Sequence, residues 1–149
     1  MHNIETLDKL LQNELSAMET YQLVLNKLQD NHQHNTSKSL ILIYEDHRDA
    51  VSVLQTQIRE LGGTPAQHPS VWHAWSKIVQ TGAQRLGFPA VLAILHQGEM
   101  NGSEDYQNVL WNPHLLSSIR CLIEWKLLLV QKSHTRVLDR LLSVTQSSG

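Results

Sequence analysis

Leu40-Ile41-Leu42-Ile43-Tyr44-Glu45-Asp46-His47 opens a stretch in which Leu40, Tyr44, His47, Val51, Leu54, Ile58 and Leu61 recur every three or four residues. That spacing is one face of an α-helix, expected over about 36–61. Thr36 or Ser37 is placed to cap its start, and Gly62-Gly63-Thr64-Pro65 stops it. A histidine sits on the apolar stripe of this helix.

Working outward, the same period appears on both sides. Leu7, Leu10, Leu11, Met18, Tyr21, Leu25 and Leu28 mark an earlier helix over about 4–30, with Asn3 or Thr6 as its cap. Val71, Trp72, Trp75, Ile78 and Val79 mark a shorter one over 70–86. Pro89 opens a further helix, 89–111, which Asn112-Pro113 ends. The last helix, 114–143, has its stripe at Leu127, Gln131, His134, Leu138 and Leu141, and 144–149 reads as a frayed tail. No period-two strand competes, so the fold class is all-α. Short joins make two antiparallel hairpins, and the short helix between them suits a crossover.

Composition sets the limits. The 149 residues make one domain, 1–149, with 41% hydrophobic residues for a core. Twelve basic against fourteen acidic residues give a net charge of −2, which argues against nucleic acid as a partner. No apolar run is long enough for a membrane span, and the start lacks the pattern of a secretory signal. With one cysteine, Cys121, no internal disulfide forms, which fits a reducing cytoplasmic setting. Cys121 itself reads as a buried small residue.

The two hairpins repeat each other. Gln12-Asn13-Glu14 falls on Gln97-Gly98-Glu99, and Tyr21-Gln22 on Tyr106-Gln107, at one offset. Leu40 to His47 falls on Leu127 to His134 in the same way. The shared polar residues Glu14, Glu99, His47 and His134 lie on buried stripes. An ionised carboxylate buried there needs a partner, a proton or a metal. Two Glu and two His from four helices can satisfy one another or bind a cation.

On these residues the sequence resembles the ferritin-like, rubrerythrin-type superfamily, and within it small bacterial proteins of bundle-plus-crossover type. The resemblance spans about Ile4 to Ser143 and implies a four-helix bundle built around a di-iron or di-manganese site. Glu14 and Glu99 match its single glutamates, and His47 and His134 its histidines. Tyr21 and Tyr106 match tyrosines that stand seven residues beyond those glutamates. At 44 and 131 the superfamily has the glutamate of Glu-x-x-His, whereas this chain has Tyr44 and Gln131. Glu45 and Asp46 point about 100° and 200° away around the helix and substitute poorly.

Two readings of the centre stay open. One is a metal site for Fe, Mn or Zn, a single ion or a degraded dinuclear centre, with Glu14, His47, Glu99 and His134 as ligands and Tyr44, Gln131, Tyr21 and Tyr106 around them. The other, which the loss of both bridging carboxylates favours, is a metal-free polar network with Tyr44 or Gln131 donating to a glutamate. Oxidase or peroxidase turnover is not expected, and no catalytic residue is assigned. His96 reads as peripheral. The unbroken apolar runs 40–43 and 127–130 lead to the expectation of a homodimer, and the tryptophan-bearing helix to packing on the bundle or on a partner. The function implied is that of a ferritin-like protein in a stress- or metal-related role, with a metal-free structural or interaction protein as the alternative.

Overall fold

The computed structural model describes residues 2–28, 34–69 and 87–147, and among them there are helices and no strands. We number the helices α1 (His2–Leu28), α2 (His34–Glu60), α3 (Phe88–Val109), α4 (Ser117–Leu122) and α5 (Leu128–Ser147). A single π turn, Ile123–Leu127, joins α4 to α5 so that the three form one long rod. The helix expected over 70–86, with Trp72 and Trp75, lies outside the described residues.

The π turn has a cause in the sequence. Ile119, Ile123, Leu127 and Gln131 are all buried and stand four apart. Steps of four overshoot an α-helical turn by about 40° each and would swing the stripe away from the core. One wider turn, closed by i→i+5 hydrogen bonds, absorbs the extra residue and keeps all four facing inward.

Several boundaries differ from expectation. α2 already runs from His34, so neither Thr36 nor Ser37 is its cap. Asn3 lies inside α1 and instead accepts a hydrogen bond from the Leu116 backbone N–H at 3.2 Å. The expected tail at 144–149 is helical through Ser147. At the end of α2 the glycine stop behaves as read. Gly62 adopts φ 87°, Gly62 N–H donates to Arg59 at 2.9 Å and Gly63 N–H to Ile58 at 2.9 Å, the paired bonds of a Schellman cap.

α1 pairs chiefly with α2, and α3 with α5. The core has two apolar levels. One gathers Leu7, Leu10 and Leu11 of α1, Leu54 and Ile58 of α2, and Ile119 and Ile123 of the last rod. The other gathers Tyr21 and Val24, Leu40 and Ile43, Leu92 and Leu95, and Leu138. The order of these residues along each helix makes α1 and α5 run one way and α2 and α3 the other. α2 therefore ends at the level opposite the one where α3 begins. Glu14, His47, Glu99, Gln131 and His134 fall between the two levels on every helix, which puts a polar layer at mid-bundle.

Of the duplicated apolar runs, Leu40, Ile43, Leu127 and Leu128 are buried, while Ile41, Leu42 and Leu129 are exposed. Cys121 is exposed, against the expectation of a buried thiol, because it stands two residues, about 200° of helix, from both buried Ile119 and buried Ile123. No helix among the described residues is long and apolar enough to cross a membrane.

Candidate metal centre

The polar layer is assembled from one short segment of each long helix. α1 supplies Glu14 and α3 supplies Glu99, each seven residues ahead of a tyrosine on the same face. Each tyrosine serves the other helix's glutamate. Tyr21 donates to Glu99 Oε1 at 3.0 Å, and Tyr106 to Glu14 Oε1 at 2.7 Å. Burial pushes both phenols well above their ordinary range, and the glutamates add to it, so the hydroxyls stay protonated and donate.

His47 of α2 stands between the two carboxylates. Its Nδ1 is 2.5 Å from Glu14 Oε2 and its Nε2 is 2.6 Å from Glu99 Oε1. Burial opposes a charge on this ring, yet Glu99 and Glu14 outweigh it and hold the imidazole well above the usual histidine range. Without a metal, His47 is an imidazolium that donates both ways. Burial also opposes the Glu99 charge, but His47 and His134 outweigh it and lower the carboxyl from 4.5 to about 2.

α5 supplies Gln131 and His134. Gln131 Nε2 donates to Glu99 Oε2 at 2.5 Å and reaches the Glu99 backbone carbonyl at 3.2 Å. This approach needs Gly102, where a Cβ would overlap the Gln131 amide. His134 Nε2 lies 2.9 Å from Asp46 Oδ2 on α2. Its Nδ1 lies 3.0 Å from Glu99 Oε1, but the alignment is too poor for a hydrogen bond, and this atom is buried with no hydrogen-bond partner.

The donor atoms of His47, Glu99 and His134 lie within 4.8 Å of one another, close enough to hold a metal ion. Glu14, expected as a fourth ligand, stands instead on the opposite nitrogen of His47. Gln131 donates to a glutamate as the polar-network reading expects. Tyr44 is half-buried against the second apolar level, and among the described residues it makes no hydrogen bond to either glutamate. His96 pairs with Asp139 at 2.9 Å, away from the centre, in keeping with its peripheral reading.

Sequence reasoning missed Asp46. It sits one residue before His47, off the buried stripe, and engages the centre only because α5 lies alongside α2. No local signal marks it, since position 46 points about 100° around the helix from His47.

The donor chemistry fits a metal. Each histidine has one nitrogen on a carboxylate, His47 on Glu14 and His134 on Asp46, and the other turned to Glu99. A carboxylate behind an imidazole fixes its tautomer and raises its basicity, which is the usual support of a metal-ligating histidine. Comparison with known protein families, curated proteins and solved structures gives no match to this chain.

Proposed function

We propose that the chain is a ferritin-like bundle of metal-related function that holds one divalent transition-metal ion through His47, Glu99 and His134. The observation that carries this reading is the cluster itself: His134 Nδ1, on a ring whose other nitrogen is engaged by Asp46, lies 3.0 Å from Glu99 Oε1 without hydrogen-bond alignment, and the donor atoms of His47, Glu99 and His134 lie within 4.8 Å of one another. Two imidazoles and one carboxylate suit Fe, Mn or Zn. Such an ion supplies Lewis-acid chemistry and, as iron or manganese, one-electron chemistry. The order Glu, His, Glu, His along four helices and the crossed tyrosines support the ferritin-like assignment. Tyr44 and Gln131, in place of carboxylates, favour one ion over two.

The test is Co(II) titration of chelator-treated protein, followed by visible absorption. One equivalent should bind in the wild type and none in a folded His134→Ala variant. Equal weak binding in both contradicts the reading.

A second reading is a metal-free structural or interaction protein. It is favoured by the short contacts of both His47 nitrogens to carboxylates, which require a proton on each. In either case a homodimer that covers Ile41, Leu42 and Leu129 belongs to the proposal, since Leu42 is 62% exposed and Leu129 50%. Leu42→Glu should convert a dimer to a monomer in sedimentation, and a wild type that sediments as a monomer removes the dimer.

A further inference from the structure

Two cavities approach the centre. The first, about 20 Å³, touches Glu14, His47, Glu99 and Gln131 and reaches outward to Asn13 and Asp105. The second, about 30 Å³, touches Glu14, His47, Gln131 and His134 and opens at Asp46, Asp49 and Lys126. Each has room for about one or two waters.

They differ in what lies outside them. Leu10, Asn13 and Asp105 of the first cavity also line a groove of about 510 Å³ on the α1–α3 seam, beside Lys9, Gln12 and Asn108. The first cavity thus shares its outer rim with a wide groove. Its α3 wall carries Gly98 and Gly102, and the Gln131 amide packs over Gly102. Where cavity and groove meet, Asn13 Nδ2 donates to Asp105 Oδ2 at 3.1 Å.

The charges differ too. At the second cavity each carboxylate faces a basic group, Asp49 at 3.5 Å from Lys126 and Asp46 at 2.9 Å from His134. At the first, the bridge to Asp105 is a neutral amide. Burial, and then the adjacent Glu104, push the Asp105 carboxyl up, and Lys9 lines the same groove. Inward of the bridge, the next anionic groups are Glu14 and Glu99.

We propose that the α1–α3 seam is the route by which a divalent cation enters the buried centre, with the Asn13–Asp105 bridge as its gate. The inference rests on the metal reading above and adds the path. Asp105 draws the hydrated cation from the groove, because a carboxylate in a low-dielectric cleft concentrates counter-ions and raises association rates. Parting the Asn13–Asp105 hydrogen bond opens the outer end of the passage, and the ion moves inward to Glu14 and Glu99, which line the first cavity.

The test is the rate of Co(II) uptake by the full chain after chelator treatment, followed by stopped-flow absorption at low salt. Asp105→Asn should slow uptake about threefold or more and Asn13→Ala, which removes the bond that must part, should speed it, while equilibrium affinity stays near the wild-type value in both. The Asp105→Asn effect should fade in high salt. Asp49→Asn, at the second cavity, should load at the wild-type rate. Unchanged uptake in both seam variants, or slowing by Asp49→Asn instead, overturns the route and leaves the centre standing. Loss of equilibrium affinity in the seam variants also overturns it, since these residues would then be holding the ion. Absence of any Co(II) binding by the wild type overturns the centre itself.

Discussion

Tyr106 of α3 donates its hydroxyl to Glu14 of α1 at 2.7 Å, while Tyr21 of α1 returns the bond to Glu99 of α3 at 3.0 Å. The crossing is what a duplicated hairpin folded about a pseudo-two-fold axis produces. The symmetry fails at the glutamates. Glu99 meets Tyr21, His47, His134 and Gln131, whereas Glu14 meets Tyr106 and His47. Tyr106→Phe therefore leaves Glu14 with one donor and should cost about 2 kcal/mol in urea denaturation, more than Tyr21→Phe. Equal losses would mean that the two glutamates are not held as unequally as their partners suggest.

The proposed ferritin-like reading expects a carboxylate at position 131, where this chain has Gln131. Gln131→Glu puts one carboxylate against another at Glu99 and should destabilise the metal-free protein by about 2–4 kcal/mol. Saturating Mn(II) should recover most of that loss, because a cation offsets the added charge. Thermal melts with and without Mn(II) decide it, and no recovery counts against a metal at this position.

Gly102 is required by the Gln131 side chain more than by the helix. Gly102→Ala should destabilise by about 1–2 kcal/mol, since the methyl displaces the Gln131 amide from Glu99. In a Gln131→Ala background the same change should stabilise by up to about 1 kcal/mol, the ordinary helix preference for Ala over Gly. A double-mutant cycle without coupling contradicts this packing.

The metal-free protein should be most stable in mildly acidic solution. Glu99 is lowered from 4.5 to about 2, so its contribution is complete above about 4.5 and is lost as pH falls towards 2. His47 has the opposite sign. Raised above 6.5, it contributes fully below that value, and its contribution is lost as pH rises through its folded value. Urea midpoints of chelated protein across pH should decline on both sides of a window from about 4.5 to 6.5. A midpoint indifferent to pH below 4.5 contradicts the ionised, buried Glu99.

Much of this centre was legible in the sequence because charge on an apolar helical stripe demands an account. Glu14 and Glu99 lie seven residues from both a leucine and a tyrosine, which fixes their face without any knowledge of the neighbours. Asp46 was not legible in that way. Its role depends on which helix lies beside α2, a tertiary fact. Which nitrogen of His47 faces which glutamate depends on the ring's orientation, so Glu14 was read as a ligand although it backs the histidine. The π turn left a trace in the four-residue spacing from Ile119 to Gln131, but a stripe begun at Leu127 hides it. Cys121 was misread because residue type was weighed without its face, which lies opposite Ile119 and Ile123. α2 is already helical at His34 and the last helix continues through Ser147, beyond the ends that caps and composition mark.

The most direct measurement is elemental analysis of protein purified without affinity metals and incubated with Fe(II), Mn(II) or Zn(II), beside a His47→Ala/His134→Ala variant. The account predicts about one ion per chain in the wild type, from the single His47, Glu99 and His134 cluster, and its loss in the variant. Sub-stoichiometric metal, equal in both proteins, would contradict it and leave the duplicated glutamates and histidines as a proton-bridged structural network.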